Sequence, residues 1–135
     1  MITADQLLAH AIGDYILQSD WMANAKTKQS VAALAHVLTY MLPFLFLRPS
    51  PLALATIVGT HFLIDRWRLA RYVVAFKNWS LGGLFMRMSL TSYWHSCNQA
   101  TGYPEATPAW LAVWLLIIAD NILHVVINGL ALTYL

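Results

Sequence analysis

The stretch AWLAVWLLIIADNILHVVINGLALTYL, residues 109–135, is apolar along almost its whole length and carries DNILH near its centre. About 20 apolar residues in a helix are enough to cross the hydrocarbon core of a bilayer, so this stretch predicts a membrane-spanning helix. Asp120 and His124 are four residues apart and therefore share one face of that helix. Because ionisable groups inside apolar helices are costly and usually functional, the pair predicts a polar interior.

The whole chain has the composition of an integral membrane protein. Of its 135 residues, 59% are hydrophobic and 10% are charged, against about 25% charged in typical soluble domains. The mean hydropathy is +0.58. We predict a single integral membrane domain over residues 1–135. The net charge of +2 gives no basis for nucleic-acid binding, and no glycine-rich phosphate loop or Gly-x-Ser-x-Gly motif is present.

Four further segments precede this stretch. A helix is predicted over about residues 4–23, where Thr3 and Gln6 fit a capping box. Residues 30–47 form an 18-residue apolar run that predicts a first clear span, and residues 51–76 predict another long helix. Residues 80–94 are amphipathic and predict an interfacial segment. We therefore predict an all-α, polytopic membrane bundle of three to four transmembrane helices plus that segment. The sequence leaves open whether the first helix and residues 80–94 cross the bilayer.

Basic residues give this predicted bundle an orientation. Lys26 and Lys28 precede the first clear span, and Arg66, Arg68 and Arg71 follow the next helix. Since cytoplasmic loops are enriched in Lys and Arg, we expect both groups to face the cytoplasm. A polar loop over residues 95–108 then leads into the final span.

His and Asp recur at helical spacing in three apolar segments: His10 with Asp14, His61 with Asp65, and Asp120 with His124. Random placement of these residue types predicts roughly 0.4 such pairs. His36 is a fourth histidine inside an apolar run. We therefore expect four helices to present polar stripes to a common interior.

Such a set of imidazoles and carboxylates is suited to Zn²⁺, Fe²⁺ or Mn²⁺. Seven candidate ligands exceed one tetrahedral site, so the sequence predicts one or two divalent ions held by His10, Asp14, His36, His61, Asp65, Asp120 and His124. Two metals can activate water and clamp a phosphoryl group. The leading hypothesis is a metal-dependent hydrolase of a membrane lipid or lipid-linked substrate, working near the cytoplasmic face. Its predicted catalytic carboxylates are Asp14, Asp65 and Asp120, and its predicted substrate-orienting residues are Gln18, Arg66 and Asn121.

Other functions remain open at this point. The pairs could be a structural hydrogen-bond network, since buried polar groups are usually satisfied locally. A transporter or channel for protons or divalent cations would also use Asp and His chains. A non-enzymatic effector that binds a host membrane protein would use the stripes to join helices. Homo-oligomerisation is compatible with all of these.

Several blocks resemble a known family: HAIGDYILQSDWMANAK (10–26), AHVLTY (35–40), HFLIDRWR (61–68) and DNILH (120–124). They are similar to the small bacterial and phage membrane proteins grouped as domain of unknown function 3307. The first block is the most specific, with His10, Asp14, Gln18 and Lys26. The resemblance implies a membrane fold with a polar constellation and a bacterial inner-membrane location, and it implies no reaction. A looser similarity links the chain to membrane-bound metal-dependent hydrolases, although DRWRLAR (65–71) lacks the Thr-His-Ser of their usual block.

Overall fold

The structure is a computed structural model that describes residues 2–83, 85 and 87–135. Two π-helical turns, Ile12–Ile16 and Trp79–Gly83, interrupt the helical regions. The all-α class predicted from the sequence is confirmed for the described residues. Their helices are α1 (Ala4–Ala11), α2 (Asp20–Ala25), α3 (Ser30–Leu45), α4 (Pro51–Trp67), α5 (Ala70–Asn78), α6 (Leu90–His95) and α7 (Ala109–Tyr134).

The predicted polytopic bundle of three to four spans is wrong. Within the described part of the chain, α7 is the one helix long and apolar enough to cross a membrane, with 26 residues and a mean hydropathy of 2.1 in its most apolar window. Helix α3 has 16 residues and therefore rises only about 24 Å, less than the ~30 Å hydrocarbon core. Helix α4 has 17 residues and is similarly short.

The first predicted helix divides into two. Thr3 Oγ1 accepts a hydrogen bond from Gln6 N, so α1 begins at Ala4 with the predicted cap. The chain then widens into the π-helical turn and leaves the helical path. Ser19 starts α2 as a second N-cap, accepting from Met22 N. The apolar pattern does not reveal this break, because the break results from the π-helical turn and the Ser19 cap.

The predicted helix over residues 51–76 also divides. Ser50 caps α4, and Pro51 occupies its first turn, where a missing N–H costs nothing. Arg68 ends α4 in the left-handed conformation with φ of 51°. For the predicted interfacial segment 80–94, the structure gives a π-helical turn and the start of α6, while Leu84 and Met86 lie outside the described residues. The predicted polar loop is confirmed between α6 and α7.

The chain forms two compact units. The first comprises Met1–Arg68 and Ile122–Leu135, and the second comprises Leu69–Asn121. Helix α7 contributes residues to both. The predicted single domain stays a prediction, because a unit of packed residues is not by itself an independently folding domain.

In the first unit, the core forms around the aromatic rings of α3. Tyr40 and Phe44 are fully buried and pack with Ile57 of α4. Gly13 lies so close to Tyr40 that an added Cβ would be 2.5 Å from Cδ2 of its ring. The absence of a side chain at this position therefore lets the π-helical turn approach α3, which places Asp14 beside that helix.

The C-terminal part of α7 is joined to this core by two buried amides. Asn128 Nδ2 donates to Tyr40 Oη at 2.6 Å. Gln6 Nε2 donates to Val125 O at 2.6 Å. These bonds join residues far apart in the sequence, and they help to fix the position of His124, which directly precedes Val125 in α7.

In the second unit, α5 packs against the loop before α7. Gly102 has a positive φ of 74°, and a Cβ there would overlap the backbone oxygen of Arg71. Arg71 Nη1 donates to Gln99 O at 2.9 Å. Tyr72 and Trp94 stack with ring centroids 4.9 Å apart. The unit is therefore held together by local aromatic and main-chain contacts.

Candidate metal centre

Four donor atoms converge inside the first unit. We call their residues the inner set: Asp14, His36, His61 and Asp65. His36 Nε2 lies 3.0 Å from His61 Nε2, 3.3 Å from Asp14 Oδ1 and 3.1 Å from Asp65 Oδ2. His61 Nε2 lies 3.4 Å from Asp14 Oδ1 and 3.1 Å from Asp65 Oδ2. The two Nε2 atoms thus lie side by side, with one carboxylate oxygen from Asp14 and one from Asp65 close to both.

Three elements carry the inner set. Asp14 comes from the π-helical turn, His36 from the middle of α3, and His61 with Asp65 from successive turns of α4. The four-residue spacing on α4 places its two side chains on one face, as predicted. The pairing of α4 with α3 and the π-helical turn depends on tertiary packing.

Two further histidines contact the second carboxylate oxygen of Asp14 and of Asp65. We call His10 and His124 the outer histidines. His10 Nδ1 is 3.5 Å from Asp14 Oδ2, and His124 Nε2 is 3.6 Å from Asp65 Oδ1. Each carboxylate therefore offers one oxygen to the inner set and the other to an outer histidine. Secondary contacts of this kind orient ligating carboxylates in metal sites.

Ring packing orients the inner imidazoles. The His61 ring stacks on His124 with centroids 3.9 Å apart and planes inclined by 21°. Its centroid is 3.8 Å from that of Tyr40. The Nδ1 atoms of His36 and His61 are buried and make no hydrogen bond to the described residues. Stacking, rather than a hydrogen bond at Nδ1, therefore holds the His61 ring with Nε2 toward the centre.

A lysine adjoins the inner set from the segment after α2. Lys26 Nζ donates to Asp65 Oδ2 at 2.8 Å and to Gln18 Oε1 at 2.8 Å. It also lies 3.4 Å from His36 Nε2. The predicted role of Lys26 was in membrane orientation, so composition and spacing missed its place in the site. Its presence with Gln18 in the block HAIGDYILQSDWMANAK was the one available signal.

Both inner carboxylates are ionised at neutral pH. Burial opposes ionisation of Asp14, but the imidazoles of His36 and His61 outweigh it and lower its pKa. Burial also opposes ionisation of Asp65, but His124, His36 and His61 hold its pKa well below the usual range. Ionised carboxylates are the form that binds a cation.

The two inner imidazoles differ in their affinity for a proton. Burial lowers the pKa of His61 to about 4, despite the neighbouring Asp65 carboxylate. Burial also opposes a proton on His36, but Asp14 and Asp65 outweigh it and raise its pKa. His61 is therefore neutral at pH 7, with a lone pair available to a ligand, whereas His36 competes for a proton.

The described residues contain two overlapping groups that could hold a metal ion. One is Asp14, His36 and His61, and the other is His61, Asp65 and His124. Within each group the ligand atoms lie within 4.8 Å of one another. Imidazole and carboxylate donors of this kind are typical of zinc and of divalent iron or manganese. Five of the seven predicted ligands occur in these groups.

The other predicted site residues do not occur in the two candidate metal groups. Asp120 and Asn121 belong to the second unit, and neither occurs in the two groups. Arg66 donates to Thr27 O at 2.9 Å and to Ser30 Oγ at 3.1 Å. Gln18 reaches the site through Lys26. The catalytic and substrate-binding roles of these residues stay predictions.

Comparison with known proteins places the chain in a family. Residues 2–103 match the family described as Protein of unknown function (DUF3307). No curated protein and no solved structure matches the chain. The matched range includes the inner set, Gln18 and Lys26, and it ends before His124. Because the match covers well over half of the sequence, the chain belongs to the DUF3307 family.

Proposed function

We propose that this protein is a hydrolase that depends on one divalent metal ion and acts on a lipid or lipid-linked substrate. The observation that carries the proposal is the convergence of four donor atoms from Asp14, His36, His61 and Asp65. The separation of the two imidazole nitrogens, and of each nitrogen from each carboxylate oxygen, is 3.0–3.4 Å. Bonds of 2.0–2.1 Å to a tetrahedral zinc ion imply ligand separations of about 3.3 Å. The atoms of Asp14, His36 and His61, and likewise those of His36, His61 and Asp65, therefore have the mutual separations of zinc ligands.

A hydrogen-bond network alone accounts poorly for this convergence. A neutral imidazole carries one hydrogen, on one of its two nitrogens. His36 Nε2 nevertheless faces two carboxylate oxygens and His61 Nε2, all within 3.3 Å. One hydrogen cannot be directed at three neighbours, whereas the lone pairs of three such atoms can be directed at one cation. The two candidate groups share His61, whose Nε2 offers one lone pair, and this favours one ion over the two that seven ligands allowed.

The residues around the inner set would prepare it for catalysis. A bound divalent ion supplies a Lewis acid and lowers the pKa of water. His10 and His124 hold the outer oxygens of Asp14 and Asp65, which keeps the inner oxygens directed to the centre. Asp14 is more exposed than His36, His61 or Asp65, with 11% of its side chain accessible. Within the inner set, Asp14 would therefore be the residue nearest to an approaching substrate.

Helix α7 supports a substrate found at membranes. Several of its large apolar side chains are more than 45% exposed, including Trp110, Val113, Trp114 and Ile118. Only 17% of its most apolar window is buried. An exposed apolar helix of this length favours contact with lipid. We infer membrane association through α7, with the centre carried by the first unit.

A hydrolysis assay tests this function. Metal-free protein, and protein loaded with Zn²⁺, Mn²⁺ or Fe²⁺, would be incubated with detergent-dispersed phospholipids and with a fluorogenic phosphate monoester. We expect turnover only in a loaded sample, loss of turnover in Asp14→Asn, and normal turnover in Asp5→Asn, an exposed aspartate of α1. A protein that binds metal but releases neither phosphate, headgroup nor acyl chain would contradict the hydrolase.

Proton transfer is a second candidate, favoured by one observation. Neighbouring ionisable groups no more than 3.6 Å apart form an unbroken series from one outer histidine to the other. Such series relay protons in membrane proteins. Proton flux into vesicles containing the metal-free protein, abolished by His61→Gln, would favour this function over hydrolysis.

A further inference from the structure

Lys26 adds a positive charge next to the inner set. Lys26 Nζ shares Asp65 Oδ2 with the two imidazoles, at 2.8 Å from the ammonium and 3.1 Å from each Nε2. A carboxylate oxygen has two lone pairs, so Asp65 can accept from Lys26 and still bind a cation. The ammonium of Lys26 can therefore stay beside Asp65 when a metal ion binds.

This neighbour leaves a loaded centre with excess positive charge. Asp14 and Asp65 together balance one divalent ion, and both imidazoles are neutral when they act as ligands. The ammonium of Lys26 then adds one positive charge that no residue of the inner set balances. A buried uncompensated charge is unfavourable, so the loaded centre is suited to bind an anion.

Lys26 is also the most accessible of these groups. Its side chain is 18% exposed, against 11% for Asp14 and 5% or less for His36, His61 and Asp65. An anion approaching from solvent would therefore meet the ammonium first. Gln18 holds the ammonium from one side. Arg66 binds Thr27 O, in the residue after Lys26, and so fixes the backbone from which the lysine extends.

We propose that the metal-loaded centre binds a phosphoryl anion, with Lys26 as its second cationic contact. The inference rests on the proposed function and narrows its substrate class to phosphate esters, as opposed to uncharged carboxylic esters. Paired cations are well suited to phosphate oxygens, which accept strong charge-assisted hydrogen bonds. Without an anion, the lysine would serve only to neutralise two buried carboxylates.

Inorganic phosphate is the probe for this proposal. Titration calorimetry would first measure Zn²⁺ binding, and then phosphate binding to zinc-loaded protein. We expect phosphate to bind the loaded wild type and not the metal-free protein. Lys26→Gln should lose about tenfold or more in phosphate affinity, the loss expected for one charged hydrogen bond. Lys26→Arg keeps the charge and should retain most of the affinity. Lys28→Gln, at an exposed lysine two residues later, should match the wild type.

The outcomes separate this proposal from the proposed function. If wild-type protein binds none of Zn²⁺, Mn²⁺ and Fe²⁺, the proposed function is overturned. If zinc binds but phosphate does not, or if Lys26→Gln binds phosphate as tightly as wild type, the phosphoryl inference alone is overturned. Should Lys26→Gln fail to fold, the comparison of loaded with metal-free wild type and the Lys26→Arg titration still decide the inference.

Discussion

The Nε2 atoms of His36 and His61 lie 3.0 Å apart, although the residues come from different helices and are 25 positions apart in sequence. Two ring nitrogens at this distance need either a shared hydrogen or a shared cation. Asp14 Oδ1 and Asp65 Oδ2 lie within 3.4 Å of both nitrogens. A shared cation satisfies both nitrogens together with a carboxylate oxygen beside them, which is why we propose a metal ion at this position.

Stability of the metal-free protein should depend on His61 in mildly acidic solution. Burial lowers the pKa of His61 from 6.5 to about 4. Between these two pH values, the His61 imidazole is therefore protonated in the unfolded chain and neutral in the folded protein. The free energy of unfolding should therefore fall as the pH drops from about 6.5 to about 4, by roughly 3 kcal/mol. Denaturant titrations at several pH values measure this slope.

Between pH 6.5 and about 4, the expected loss of stability comes from His61 and not from Asp65 or His36. Asp65, whose pKa lies well below 3.8, loses its stabilising contribution only at lower pH. His36, whose pKa is raised above 6.5, keeps its contribution throughout the window and loses it only as the pH rises. His61→Gln should flatten the slope. An equally steep slope in that variant would show that another group is responsible.

Removing the hydroxyl of Tyr40 should destabilise the first unit. Tyr40 Oη accepts a hydrogen bond from Asn128 Nδ2 at 2.6 Å and lies 2.8 Å from His10 Nδ1. Tyr40→Phe removes a partner from both buried groups, and we expect a loss of about 1–3 kcal/mol in the free energy of unfolding. Chemical denaturation measures it. Tyr134→Phe, where the side chain is 77% exposed, is the control, and an equal effect of both substitutions would contradict the prediction.

Gly13 should tolerate no side chain. A Cβ at this position would lie 2.5 Å from Cδ2 of the fully buried Tyr40 ring. Gly13→Ala should therefore cost about 1–3 kcal/mol of stability through overpacking, and it should weaken metal binding because Asp14 follows directly. Gly59→Ala adds a Cβ in open space within α4 and should stabilise the helix by up to about 1 kcal/mol. A Gly13→Ala protein as stable as wild type would refute this packing.

Part of the clustering of His and Asp could be predicted from the sequence, whereas the ends of the helices around it could not. The pair His61 and Asp65 could be found because a four-residue spacing fixes which helical face two side chains share. His36 could be found because an imidazole in an apolar run needs a partner. Which donor atoms come together depends on the packing of α3, α4 and the π-helical turn. Spacing within one helix carries no information on that packing.

Lys26 could not be placed from residue spacing. It follows the end of α2, and its contact with the inner set depends on tertiary packing rather than on a shared helical face. The predicted spans failed for a related reason. Hydropathy counts apolar residues, whereas the length of a helix is set by where caps and left-handed residues end it. Ser19 and Arg68 make such ends, and the run over residues 30–47 yields only the 16 residues of α3.

The metal content of the purified protein tests the central proposal most directly. Wild type, His61→Gln and His95→Gln would be incubated with Zn²⁺, freed of excess ion and measured by elemental analysis, with circular dichroism to verify folding. His95 is an exposed histidine at the end of α6 and serves as the matched control. We predict about one equivalent of zinc in wild type and His95→Gln, and a small fraction of that in folded His61→Gln. Wild type without zinc above background, or His61→Gln with a full equivalent, would contradict a metal centre built on the inner set.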